Sequence, residues 1–369
     1  MTTSMLAAFL LWLFGGLLSS ANTAADTLSI KDALTTESAA LVVRADPGST
    51  TRLRDVAAAH GLLIGAATEA VTLVREPDFA SLLGNQFSLL TTENRLKFNI
   101  VHPSRDIYNF EQADVIVRFA EANRMAVRGH CFIWHEHFPS WLAAADISTT
   151  EAEQLVREHI HKIMQRYAGR ILYWDVVNEP ITDDGKMRDT KWRSLLGDDY
   201  IAKAFRWARE ADPHAKLFLN DFGIETVCPK SDKFYEVVQG LQAAKIPLDG
   251  LGFQMHLNLG AGLSTTSLQQ NLRRFAALGL ELHVTEMDVS LDRTGVASET
   301  LQRQAAMYRD VLETTLEFPA FKAIVFWGAS DRHSWLTRKI SPPDAPLLFD
   351  RELRPKPAFD GVLQALQPG

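Results

Sequence analysis

With 369 residues, the chain is long enough for one large domain or two ordinary ones. Hydrophobic residues make up 46% and charged residues 22%, the balance of an ordinary soluble globular protein. A net charge of −7 and the absence of a Lys/Arg stripe remove the electrostatic footprint of a nucleic-acid binder.

The first 25 residues, MTTSMLAAFLLWLFGGLLSSANTAA, carry no charged side chain. Their apolar stretch, Leu6 to Leu18, is too short to span a bilayer and fits the hydrophobic region of a signal peptide. Small residues follow, so cleavage is expected after Ala21 or Ala25. Residues 1–25 are therefore read as a signal peptide, and the processed chain is expected outside the cytoplasm with no stable membrane partner. The competing reading is an uncleaved anchor, since the stretch lacks an amino-terminal Lys or Arg. Residues 26–50 show poor periodicity and take no assignment.

From Thr51 onward apolar runs of strand length alternate with helical patterns. The runs are LLIGAAT (62–68), FSLLTTEN (87–94), AVRGHCFIWH (126–135), ILYWDVVNEP (171–180), KLFLNDFGIE (216–225), GLGFQMHL (250–257), ELHVTEMDV (281–289) and FKAIVFWGASD (321–331). Between them FEQADVIVRFAEANRM, TEAEQLVREHIHKIMQRYAG, DYIAKAFRWAREADP and LQRQAAMYRDVLETTLEF repeat apolar residues at three- and four-residue steps, as amphipathic helices do. Near-continuous apolar strands alternating with helices imply a parallel sheet covered by helices. Eight such strands over roughly 320 residues predict an α/β fold, a single (β/α)₈ TIM barrel over residues 51–369. The first βα turn has no G-x-G-x-x-G, which argues against a dinucleotide site. The two cysteines, Cys131 and Cys228, fit no zinc spacing. Two buried free thiols are expected, and one disulfide is compatible with the sequence.

Polar residues gather at the carboxyl ends of these strands. They are Glu93, Asn94 and Lys97 after the second, His130, Trp134 and His135 on the third, and Asn178 and Glu179 at the fourth. Asn220 and Asp221 end the fifth and Gln254 and His256 the sixth. Glu286 and Asp288 end the seventh, and Trp327, Asp331 and Trp335 follow the eighth. A barrel brings all such ends to one face. Pro180 has no amide proton for a ladder, so the fourth strand should stop at the Asn178-Glu179 pair. Glu286 then supplies a second carboxyl, three strands round. Paired carboxyls are the equipment of glycoside hydrolysis: one protonates the leaving oxygen, the other attacks the anomeric carbon or activates water. Flat tryptophan faces suit the C–H faces of sugars.

Each of these residues has a plainer reading. The two glutamates could be ion-pair partners at the barrel mouth, and His130 and His256 could be core histidines. His135, Glu136 and His137 lack the H-E-x-x-H spacing, so no metal site is expected. Trp141 and Trp174 read as packing, Arg128 as a buried arginine paired with a neighbouring strand's carboxylate, and Asp221 stays open.

TTENRLKF, RGHCFIWH, WDVVNEP, GFQMHL, VTEMDV and FWGASDRHSW, in this order and spacing, resemble family 10 of the glycoside hydrolases, the retaining endo-β-1,4-xylanases. The likeness runs from Thr51 to the end. It implies Glu179 as general acid/base and Glu286 as nucleophile, with His256 and Asp288 orienting the nucleophile. Asn178 would bond the sugar's 2-hydroxyl. Glu93, Asn94, Lys97, His130, Trp134 and Gln254 would bind the glycone side, walled by Trp327 and Trp335. It implies xylan as the partner, a monomer, and neither cofactor nor metal. Three positions depart from the family's usual pattern. Phe98 replaces a Trp, His137 a glycone-side Gln, and Phe222-Gly223 a Tyr-Asn pair on the leaving-sugar side. Another β-1,4-glycan as substrate, or a non-catalytic sugar-binding derivative, are the alternatives.

Overall fold

The computed structural model describes residues 51–292, 295–338 and 344–367. Residues 1–25, expected to be a signal peptide, and residues 26–50 lie outside the described residues. Nine strands run β1 (Leu63–Ala67), β2 (Leu89–Thr91), β3 (Ala126–Trp134), β4 (Tyr173–Asn178), β5 (Lys216–Asp221), β6 (Gly250–Phe253), β7 (His256–Asn258), β8 (Glu281–Ser290) and β9 (Phe321–Phe326). Each of β1 to β5 pairs in parallel with the next, β5 pairs with β6, β6 with β8, β8 with β9 and β9 with β1. The sheet is a closed barrel of eight staves, as expected, because β7 continues the sixth stave and pairs with β8 alone. The sequence run GLGFQMHL is thus two strands. Met255, at φ 62°, leaves the ladder between them.

The helices follow their periodic patterns closely: Glu111–Ala122, Thr149–Arg166, Tyr200–Ala211 and Ser298–Leu316 cover the barrel. Thr149–Arg166 starts at a capping box, in which the Ser148 hydroxyl accepts from Glu151 N and the Glu151 carboxylate accepts from Ser148 N. Among the described residues no helix is long and apolar enough to cross a membrane.

The barrel interior is mostly aliphatic and aromatic, with one buried polar layer. Arg128 on β3 is fully buried and pairs with Asp175 on β4, as its sequence position suggested. The guanidinium also donates to His283 Nδ1 at 3.0 Å, and His283 Nε2 donates to Glu281 at 2.9 Å. Trp174 is packing, stacked on Phe132 with ring centroids 4.7 Å apart. A Cβ on Gly129 would sit 2.3 Å from that indole, so any larger residue there would overpack the layer by about 1–3 kcal/mol. Trp141 also packs, its indole donating to His102 O at 2.9 Å. Cys131 is a buried free thiol, but Cys228 is a half-buried one. It caps the helix Pro229–Ala243, Sγ accepting from Ser231 N at 3.4 Å, which keeps it near the surface.

Candidate active site

Regular pairing slips where the site residues leave the strands. Register shifts fall between His130 and Ile133 on β3, between Asp175 and Val177 on β4, and between Val284 and Met287 on β8. Such irregularities re-aim side chains at the end of a strand. Glu179 follows β4 with φ 56° and Glu93 follows β2 with φ 37°, two acids in the left-handed region that L-residues seldom adopt. Backbone held this way persists only where its surroundings over-determine it.

Glu179 and Glu286 are both nearly buried, 8% and 4% exposed, on staves three apart. Three amides connect them. Gln254 Nε2 donates to Glu179 Oε1 at 3.0 Å and to Asn178 Oδ1 at 3.2 Å. Asn178 Nδ2 donates to the same Glu179 oxygen at 3.2 Å. Asn220 Nδ2 donates to Asn178 Oδ1 at 2.8 Å and to Glu286 Oε1 at 2.7 Å, while its own carbonyl accepts from Thr285 Oγ1 at 2.7 Å. Five of the six protons of these three amide groups have an acceptor within the network, which fixes the spacing of the two carboxyls.

Two histidines serve the Glu286 side. His256 Nε2 lies 3.5 Å from Glu286 Oε2, while its Nδ1 lies 2.9 Å from Asp288 Oδ1. Burial opposes charge on His256, but Asp288 and Glu286 outweigh it and raise the imidazole well above its ordinary value. His130 Nδ1 lies 2.9 Å from Asp175 Oδ2 and 3.9 Å from Glu286 Oε1. Burial works against its charge too, yet Cys131, Glu286 and Asp175 push it up to about 10. In return, burial tends to raise Glu286, and the charges of His130 and His256 overcome that and hold its carboxyl below the ordinary glutamate range. A carboxylate kept ionised in a dry site is equipped to act as a nucleophile.

The other residues singled out in the sequence adjoin this centre. Trp134 Nε1 donates to Glu179 Oε2 at 2.8 Å, and Trp335 Nε1 donates to Asp288 Oδ2 at 2.7 Å. Trp327 stands edge-on to His130, centroids 5.2 Å apart. The Lys97 ammonium lies 4.6 Å from the Trp134 ring and 5.9 Å from that of Trp327. It donates to Asn94 Oδ1 at 2.7 Å, and Asn94 Nδ2 donates to Glu93 at 3.3 Å and to Glu69 at 2.6 Å. All thirteen residues are therefore joined by direct contacts.

Sequence reasoning missed Asn220 as a bridging group and Glu69 as the anchor of Asn94. Asp221, left open, points away from the two glutamates: it accepts from Ile181 N at 3.3 Å and pairs with Lys230 at 3.1 Å. Burial pushes its carboxyl up to about 7 against the pull of Lys230. Among the departures, His137 stacks on Trp134, centroids 5.0 Å apart, and its Nδ1 donates to Asn99 Oδ1 at 2.6 Å. Burial, helped by Lys97, lowers it to about 3, so it is neutral. Phe98 is buried against His159, centroids 3.6 Å apart, and the Phe222 ring centroid is 3.2 Å from the Lys230 ammonium. His135 pairs with Glu136 at 3.1 Å, and among the described residues no cluster of three or more His, Cys, Asp or Glu side chains is placed to hold a metal ion.

Known proteins share the sequence and the fold. Endo-1,4-beta-xylanase B of Thermotoga neapolitana is 38% identical over 282 residues, 76% of this chain and 81% of its own. The crystal structure of xylanase 10B from Thermotoga petrophila in complex with xylobiose superposes with a TM-score of 0.83 at 37% identity, covering 87% of this chain and 98% of that one. Exoglucanase XynX of Acetivibrio thermocellus is 35% identical over 309 residues, which are 80% of this chain and 28% of that larger protein. The sequence pattern of Glycosyl hydrolase family 10 matches residues 52–365, and the chain belongs to that family.

Proposed function

We propose that this protein is an endo-acting β-1,4-xylanase that cleaves with retention of anomeric configuration. The observation that carries the reading is the pair of buried carboxyls, Glu179 and Glu286, joined through Gln254, Asn178 and Asn220, with Glu286 alone flanked by two cationic histidines. In this reading Glu286, kept ionised, attacks C1 of the bound xylose. Glu179 gives its proton to the leaving oxygen, and a glycosyl ester forms on Glu286. With that charge consumed, Glu179 takes a proton from water, which opens the ester and restores both groups. The His256–Asp288 pair orients Glu286. Asn178, bonded to Glu179 through one amide proton, gives its other to the 2-hydroxyl in this reading, a contact that strengthens as the ring becomes oxocarbenium-like. Glu93, Asn94, Lys97, His130, Trp134 and Gln254 hold the glycone, and Trp327 and Trp335 wall it.

Relatives named as xylanases and a neighbour holding xylobiose support xylan as the substrate. The exoglucanase relative, with Phe222-Gly223 on the leaving-sugar side, favours a second reading, the same chemistry on a glucan chain. The apolar stretch Leu6–Leu18, followed by small residues, supports export from the cytoplasm. Proton NMR of the chain from Asp26 onward, incubated with xylan and separately with soluble cellulose, tests the proposal. Xylo-oligosaccharides that appear first as β-anomers are expected, with little turnover of cellulose. Initial α-anomers would overturn retention, and faster cleavage of cellulose would overturn the substrate.

A further inference from the structure

The backbone that carries Glu179 is held by one residue to which the chemistry above gives no part. Residues 180–188 fold back as a short hairpin: Ile181 and Met187 form an antiparallel bridge, and Thr182 N donates to Lys186 O at 2.9 Å. The return places Arg188 across three successive carbonyls. Its own N donates to Pro180 O at 2.8 Å, its Nε to Glu179 O at 3.1 Å and its Nη2 to Ile181 O at 3.1 Å. The remaining polar groups of that tripeptide are anchored on β5. Glu179 N donates to Asn220 O at 2.8 Å and Ile181 N to Asp221 Oδ2 at 3.3 Å, while Pro180 has no amide proton. Every backbone donor and acceptor from Glu179 to Ile181 is thus accounted for, three of the five by Arg188.

The hairpin itself is braced. Gly185 turns at φ 77°, and a Cβ there would stand 2.6 Å from Pro229 O, so the turn rests on the start of the helix Pro229–Ala243. From that first turn Lys230 reaches Asp183 at 3.2 Å and Asp221 at 3.1 Å, tying the hairpin to the end of β5. The left-handed φ of 56° at Glu179 would relax toward the extended region if its carbonyl were released, and the carboxyl would swing with it.

We propose that Arg188 is a positioning residue for Glu179, whose planar fork on the Glu179 and Ile181 carbonyls fixes where that carboxyl stands relative to the leaving oxygen. The proposal rests on the reading of Glu179 as acid/base, and general-acid help falls off steeply with misplacement.

The test compares kcat/KM on xylan with that on dinitrophenyl β-xylobioside, whose leaving group departs without a proton. For Arg188→Met, xylan cleavage is expected to fall about ten- to a hundred-fold, with the aryl glycoside changed by less than about threefold. Partial unfolding scales both rates alike, so the ratio reads position alone. Arg188→Lys, which keeps the charge without the fork, should show the same selective loss; full activity in it would overturn the geometric account. Equal losses on the two substrates in Arg188→Met would reduce the residue to a structural brace and overturn the proposal. Glu179→Ala, run in parallel, separates the two levels. If it is selective and Arg188→Met is not, the clamp alone fails. If it shows no dependence on the leaving group, the acid/base reading fails and the clamp with it.

Discussion

The surroundings of Glu179 and Glu286 differ although one chain of amides links the two, Gln254 and Asn178 bonding Glu179 and Asn220 bonding Glu286. Glu286 faces two imidazoles held protonated by their neighbours, His130 by Cys131, Glu286 and Asp175, and His256 by Asp288 and Glu286. Among the described residues the Glu179 carboxyl is bonded only by neutral donors, the Trp134 indole and the Asn178 and Gln254 amides, with His135 Nδ1 beyond hydrogen-bond reach at 4.0 Å. Cations favour the ionised form of a carboxyl by Coulomb attraction, whereas neutral donors orient it with far less pull on its proton. One wall of the cleft is therefore built to keep a charge and the other to aim a group that changes charge. The difference lies in what stands behind the carboxyls, since the two residues themselves are identical.

Substitution at His256 should break that asymmetry. His256→Asn removes one cation from Glu286, so the Glu286 carboxyl rises and the acid limb of kcat/KM should move up by roughly one to two pH units. Near the optimum, turnover should fall about tenfold or more, by the loss of an oriented contact to the reacting group. Trp134→Phe, on the neutral wall, should leave the acid limb where it was. A limb that moved with Trp134 and stayed with His256 would invert the assignment.

A smaller effect sharpens the same contrast across the whole molecule. His130 and His256 have raised values, so what they contribute to stability is full below about 6.5 and is lost as pH rises toward their folded values. His102, His137, His159 and His283 are lowered, burial being the largest cause at each. These four stay neutral in the fold but take protons when unfolded, so their contribution is lost as pH falls below about 6.5. Scanning calorimetry should show Tm highest close to neutrality and falling by a few degrees or more on either side, more steeply toward acid. A Tm that kept rising from pH 7 to pH 5 would contradict the protonation states assigned here.

Much of this was legible in the sequence, for identifiable reasons. The barrel showed because buried parallel strands are continuous apolar runs and their helices keep a strong three-to-four rhythm. The strand ends showed because Asn178-Glu179 and Thr285-Glu286 are polar breaks in such runs. Asn220 was hidden by a parity problem. Asn220 and Asp221 point to opposite sides of β5, and the register shift between β4 and β5 removes the count that would say which faces the cleft. Gln254 was found, but the break at Met255 just after it was not, because GLGFQMHL has no glycine or proline there. Arg188 sits in the polar, aperiodic segment TDDGKMRD, where nothing local marks which side chain returns to the Glu179 carbonyl. Cys228 was expected to be buried, yet the C-P-K-S order that follows is that of a helix start with proline at its first position, which explains its place near the surface.

The most direct test of the account traps the intermediate. The protein would be incubated with dinitrophenyl 2-deoxy-2-fluoro-β-xylobioside, and the labelled peptide located by mass spectrometry. One fluoroxylobiosyl group per chain is expected, esterified to Glu286. A label on Glu179 or any other residue, or none from protein that is turning over xylan, would contradict the claim that Glu286 is the nucleophile of a retaining hydrolase.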